Sequence, residues 1–128
     1  MELENYFKSI IDHDTSPIVI CDTEDIIIYM NPSAVERYKK RGGAELIGKN
    51  LLNCHNDNSV KTIKKITNGF KTKSIDDIYF TYHNEKDNCD VFMVALRDRN
   101  GELIGYYEKH ESRNLYNSVL PLRREHIK

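Results

Sequence analysis

The sequence has no tryptophan, and only three prolines and six glycines in 128 residues. That poverty excludes a collagen-like or Pro/Gly-rich low-complexity chain. Its three cysteines, Cys21, Cys54 and Cys89, are odd in number, widely spaced and form no CxxC pair. Neither a disulfide framework nor a zinc knuckle is indicated. An excess of either charge is also lacking, since 19 basic residues face 20 acidic ones. A nucleic-acid binder driven by bulk charge would be strongly basic, so nucleic acid is not an expected partner. No apolar run approaches the ~20 residues of a membrane span. The acidic start, Met1-Glu2-Leu3-Glu4-Asn5, lacks the basic-then-apolar plan of a signal peptide. A cytoplasmic protein without a membrane partner is therefore expected. Hydrophobic residues make up 39%, too many for a disordered chain. A chain of this length forms one domain and buries roughly two thirds of its extended surface.

What is present has a clear order. Leu3, Tyr6, Phe7, Ile10 and Ile11 recur at helical spacing, which predicts an amphipathic helix over about 2–12. Thr15-Ser16-Pro17 breaks it. Two β-branched runs, Ile18–Cys21 and Ile26–Met30, flank the polar link Asp22-Thr23-Glu24-Asp25 and read as a hairpin. Asn31-Pro32 then supplies a cap and a first helical position for a short helix through Tyr38. A glycine-stopped turn over 44–49 follows. A helix over about 59–68 carries Val60, Ile63 and Ile66 inward and is expected to end at Gly69. The last third alternates as strands around 78–83, 91–96 and 103–108, the last two joined through Asn100-Gly101, a strong hairpin signal. A short helix and a frayed tail are expected over 113–128. Two early strands and three late ones can join in one antiparallel sheet, with the short helices on one face.

These residues, in this order, resemble a PAS sensor domain. The likeness rests on Pro17-Ile18-Val19-Ile20-Cys21-Asp22 followed by Ile28-Tyr29-Met30-Asn31-Pro32. It rests also on Glu45-Leu46-Ile47-Gly48-Lys49, and on Ala95-Leu96-Arg97-Asp98 leading to Gly101-Glu102-Leu103-Ile104-Gly105. The run Gly48–His55 is similar to a bacterial subset of PAS domains with a Cys-His pair at this point. That subset continues Pro-Pro, whereas Asn56-Asp57 stands here. The resemblance implies an α+β fold with a five-stranded antiparallel sheet, short helices on one face and an N-terminal amphipathic helix. It divides the chain into a leading helix over 1–14, the sensor domain over 15–112 and a tail over 113–128.

The same resemblance implies a small cavity between sheet and helices. Alternation places Val91, Met93 and Ala95 inward on one closing strand, and Leu103, Gly105 and Tyr107 inward on the next. Val19 and Cys21 face in from the first strand, and Tyr38, Leu51, Cys54 and His55 roof the space. Val19, Val91 and Leu103 read as plain core. Cys21, Tyr38, Leu51, Cys54, His55, Met93, Ala95 and Tyr107 are the candidate ligand contacts, because several combine polarizable or hydrogen-bonding groups with an apolar setting.

Other chemistries fit less well. The flavin-binding LOV branch needs its reactive cysteine where Leu51 stands. Haem-binding relatives carry their axial histidine inside the helix that His55 precedes, so haem is a minor alternative and a small organic ligand the main expectation. Adjacent Cys54 and His55 lack an orienting third group, so no enzyme is expected. The five histidines show no metal-ligand spacing, and no metal is expected. Leu3, Tyr6, Phe7 and Ile10 would either lie on their own sheet or form a homodimer seam, the latter being the expectation from the family. A signal would leave through a partner protein or a change of dimer. An interaction module without ligand, docking through Tyr79, Phe92 and Tyr106, is the alternative.

Overall fold

In the computed structural model, which describes residues 2–114, the chain begins with α1 (Leu3–His13). Strands β1 (Val19–Asp22) and β2 (Ile27–Met30) form a hairpin. Its turn is built by Asp22, whose Oδ1 accepts from the backbone N–H of Glu24 and of Ile26, while Asp25 takes a positive φ of 67°. Helix α2 (Pro32–Arg37) follows, and then three short 3-10 turns over Lys39–Arg41, Gly43–Leu46 and Leu51–Cys54. The long helix α3 (Asp57–Thr72) leads to β3 (Ile78–Asn84), β4 (Cys89–Arg97) and β5 (Leu103–Ser112). The tail expected over 113–128 lies, beyond Asn114, outside the described residues.

The five strands form one antiparallel sheet in the order β2-β1-β5-β4-β3. The chain's first strand thus pairs with its last, as the split of two early and three late strands requires. The helices cover one face. Ile63, Ile66 and Phe70 of α3 are buried against Met93, Ala95 and Tyr106 of the sheet. Burying a side chain of this size contributes roughly 1.5–3 kcal/mol.

Asn31 explains how the first third holds together. It is fully buried. Its Oδ1 accepts from Ala34 N, capping α2, and from Ile18 N, entering β1, both at 2.9 Å. Its Nδ2 donates to the carbonyls of Ile11 and Ser16 at 3.0 Å. One amide therefore fixes the end of α1, the start of β1 and the start of α2. Otherwise α1 is lightly attached. Asp12 accepts from the Tyr29 hydroxyl and pairs with Lys8, and no residue of α1 is buried.

Two expectations are corrected. Helix α3 runs through Gly69 to Thr72 and ends on Lys73 at φ 59°. Gly69 is there for packing: an added Cβ would lie 2.9 Å from Ile75 Cδ1. The second concerns β5. A bulge shifts the β4–β5 register between Leu96 and Arg97, so that Arg97 pairs with Leu103 but Ala95 pairs with Tyr106. Strict alternation from Leu103 therefore fails. Tyr106, Glu108 and His110 face the helices, and Tyr107 faces the opposite side, level with Val94 and Ile20. Tyr107 is thus withdrawn from the cavity, and Tyr106, together with Tyr79 that pairs with Met93 on the inner row, from the outer docking face.

The outer face of the sheet is apolar along a whole row. Tyr29, Ile20, Tyr107, Val94 and Ile78 lie side by side across all five strands. Phe80 and Phe92 form an edge-to-face pair beside them, centroids 5.6 Å apart. No helix among the described residues is long and apolar enough to cross a membrane.

Candidate functional site

Between the inner face of the sheet and the segment 38–55 lies a cavity of 60 Å³. Its walls are Val19 of β1, Ile27 and Met30 of β2, and Tyr106 of β5. Leu46, Leu51 and Cys54 of the 3-10 turns close it from above. The turns reach this position because the chain over 48–51 docks on β2. Gly48 N donates to Ile27 O, Ile27 N to Lys49 O, and Leu51 N to Asp25 O, at 2.7–2.9 Å. Asn50 caps the last turn by accepting from Leu52 N.

Towards solvent the cavity widens into grooves with a different chemistry. Tyr38, Arg41, His55, Tyr82, Glu108 and His110 line one of them, and Thr81, Tyr82, Met93 and Glu108 line the other beside His55. Glu108 is the hinge between apolar and polar. Its row across the sheet reads Met30, Val19, Glu108, Met93, Tyr79, so it is the one charged residue among apolar and aromatic neighbours. His110 Nε2 donates to Glu108 Oε1 at 2.9 Å. His110 is 6% exposed, and among the described residues its buried Nδ1 has no hydrogen-bond partner; nor has the buried Thr81 Oγ1. Buried polar atoms normally have partners, so one orphan in each of the two adjoining grooves marks places where a ligand or water completes the bonding. The Tyr38 and Tyr82 phenols are pushed above their ordinary value, first by burial and then by the Glu108 charge. The Glu108 carboxylate thus projects its field into the groove.

Of the residues singled out from sequence, Tyr38, Leu51, Cys54 and His55 do meet at the cavity. Met93 borders the adjoining groove. Cys21 and Ala95 are core residues beneath it, among Ile27, Ile66 and Tyr106. Burial pushes the Cys21 thiol up to about 12, so it stays protonated and unreactive near neutral pH. Tyr107 is on the other face. Sequence reasoning missed Tyr106, Arg41, Thr81, Tyr82, Glu108 and His110. The signal for three of them was the loop itself. Asp98 to Glu102 is longer than a two-residue hairpin, and such loops commonly carry a bulge that reverses the parity beyond it.

A porphyrin or an isoalloxazine does not fit the enclosed space, which is less than half of the roughly 150 Å³ that holds a benzene. Among the described residues no three His, Cys, Asp or Glu side chains gather as a metal site.

On the apolar stripe of α1, Leu3, Tyr6, Phe7 and Ile10 are 51%, 58%, 57% and 70% exposed. The chain's own sheet does not cover them.

The comparisons with known proteins agree with this architecture. The model of the PAS fold family matches residues 5–107. A C-terminal domain from Streptococcus mutans is similar in structure, with a TM-score of 0.71 and 19% identity over 98% of this chain and 90% of that one. The PAS domain of a protein from Colwellia psychrerythraea gives 0.64 and 13%, over 87% and 97%. The Aer2 receptor from Vibrio cholerae, described as a dual PAS-heme oxygen sensor, gives 0.55 and 23%, over 74% and 91%. No curated protein matches the sequence.

Proposed function

The chain belongs to the PAS fold family, and from that premise we propose that it is a cytoplasmic, non-catalytic sensor that binds a small organic ligand between sheet and turns. The observation carrying this reading is the cavity itself. An apolar chamber opens onto two adjoining grooves that share the Glu108 carboxylate, hydrogen-bonded by His110, and each groove carries one unsatisfied buried polar atom. A few precisely placed polar groups at the edge of an apolar space are what a small-molecule site requires. The walls are also joined to parts of the fold that can relay a change. Tyr106 reaches the β1–β2 turn through Asp25, and β1 carries Ile20 on the outer face. Occupation would bias the segment 48–55 and the sheet between two arrangements. The exposed stripe of α1 and the apolar outer row are the surfaces through which a homodimer or a signalling partner would read that change.

Met93→Trp tests the site. The indole should fill the groove beside His55 and block uptake of any ligand the wild type retains, at a cost of about 1–3 kcal/mol in stability because Met93 is packed in the core. Unimpaired retention would put the site elsewhere.

The small enclosed volume favours a second reading, an interaction module without ligand that docks through Phe92, Phe80 and Ile78 on the outer face. Protein that stays bare after exposure to host extract, while a partner protects that face from hydrogen exchange, would decide for it.

A further inference from the structure

The polar groups around the cavity are of opposite charge and unequal engagement. Glu108 uses one carboxylate oxygen on His110 and leaves the other without a partner among the described residues. Arg41 lines the same cavity, and its guanidinium has no hydrogen bond or ion pair among the described residues. The two do not pair with each other, although both border the chamber and its groove. Arg37, the other cation beside the groove, is engaged with Asp87 at 2.8 Å. Below them the chamber is closed by Ile27, Met30, Leu46, Leu51 and the Tyr106 ring, all apolar.

We propose that the ligand is a small zwitterion of the α-amino-acid type with a short aliphatic side chain. This rests on the ligand-binding reading above and gives that ligand its chemistry. The ammonium group would meet the free Glu108 oxygen, the other being held by His110 Nε2. The carboxylate would meet Arg41, which offers it a fork of N–H donors. The side chain would enter the chamber. Its 60 Å³ exceeds severalfold the roughly 10–15 Å³ that one water needs and is well below the roughly 150 Å³ that holds a benzene, so it admits a short aliphatic chain only. A bare amine would leave Arg41 unanswered, and a bare acid would leave Glu108 unanswered.

Calorimetric titration of the whole protein with four probes tests this: L-leucine, 3-methylbutylamine, 4-methylpentanoate and D-leucine. L-leucine should bind, and each one-charge analogue should bind at least about tenfold more weakly, the size expected for losing one charge-assisted bond. D-leucine should also be weaker, because three groups are held at once. Glu108→Gln and Arg41→Gln should each cost about tenfold for L-leucine with unchanged melting. Should Glu108→Gln fail to fold, Arg41→Gln, at an exposed residue, carries the same test. Equal binding of amine and amino acid, or indifference to Arg41→Gln, overturns the proposal. So does binding of none of the four. If none binds but the protein retains some other small molecule that Met93→Trp displaces, this inference falls while the sensor reading stands. If nothing is retained either, both fall.

Discussion

The Tyr106 hydroxyl donates to Asp25 Oδ1 at 2.8 Å, across 81 residues of sequence. This bond joins the floor of the cavity to the β1–β2 turn. Asp25 in turn accepts Leu51 N at its carbonyl, so one residue links floor and roof. Tyr106→Phe keeps the ring and removes the bond. It should cost about 1–2 kcal/mol of stability, since a neutral donor to a carboxylate is lost from a half-buried place. Amide exchange at Leu51 should rise with it. Unchanged exchange at Leu51 would separate floor from roof.

Asn31→Ala should be the most damaging polar substitution in the first third. It removes the cap of α2 and leaves Ile18 N and the Ile11 and Ser16 carbonyls without their partner. A cap contributes about 1 kcal/mol and each of the three abandoned groups about 1–3 kcal/mol, so a loss of at least about 4 kcal/mol is expected. Chemical denaturation measures it. A loss below about 1 kcal/mol would mean that water replaces the amide without difficulty.

Acid should weaken the fold only at low pH. Hydrogen bonding from Arg97 holds the Asp77 carboxyl below its ordinary 3.8, and Arg113, with His83, does the same for Asp90. A depressed folded pKa adds stability that is present above the unfolded value and is lost as pH falls through the folded one. The melting temperature should therefore be insensitive to these groups down to about pH 5 and fall below about pH 4. Asp77→Asn should lower it at neutral pH and make the acid limb shallower. An identical acid limb in that variant would remove Asp77 from the account. Arg97 also donates to Phe70 O at 2.7 Å, so the pair holds the end of α3 to β4.

Tyr6→Glu with Ile10→Glu should dissociate a dimer. Both side chains stand in the stripe of α1 that the chain's own sheet leaves uncovered. Light scattering should give twice 15.0 kDa for the wild type and 15.0 kDa for the variant. A wild type already monomeric at high concentration would sink the seam.

Much of the architecture was legible because it is written in short-range chemistry. The stripe Leu3, Tyr6, Phe7, Ile10 reads as α1, the Asp22–Asp25 link as a turn, and Asn31-Pro32 as a cap. Tyr38, Leu51, Cys54 and His55 were placed at the cavity by resemblance, and they line it. The rest depends on tertiary geometry. The parity of β5 turns on one bulge at Leu96–Arg97, and a slip of one residue exchanges Tyr107 for Tyr106 and brings Glu108 and His110 inside. Gly69 looks like a helix stop, but Ile75 packs where its Cβ would be. Gly105 is similar: an added Cβ would lie 2.1 Å from Cys21 O, so close approach of β1 and β5 demands the glycine. A charged residue within a strand reads as solvated until the opposite wall is known, which is why Glu108 escaped notice.

The central claim is that the cavity between sheet and turns holds a small molecule. Native mass spectrometry of freshly purified protein, set beside its denatured mass, tests it most directly. The account predicts an added mass of small-metabolite size that is lost on denaturation, and absent from Met93→Trp prepared in the same way. Protein that carries no added mass from its host, and gains none from a broad metabolite extract, would contradict it.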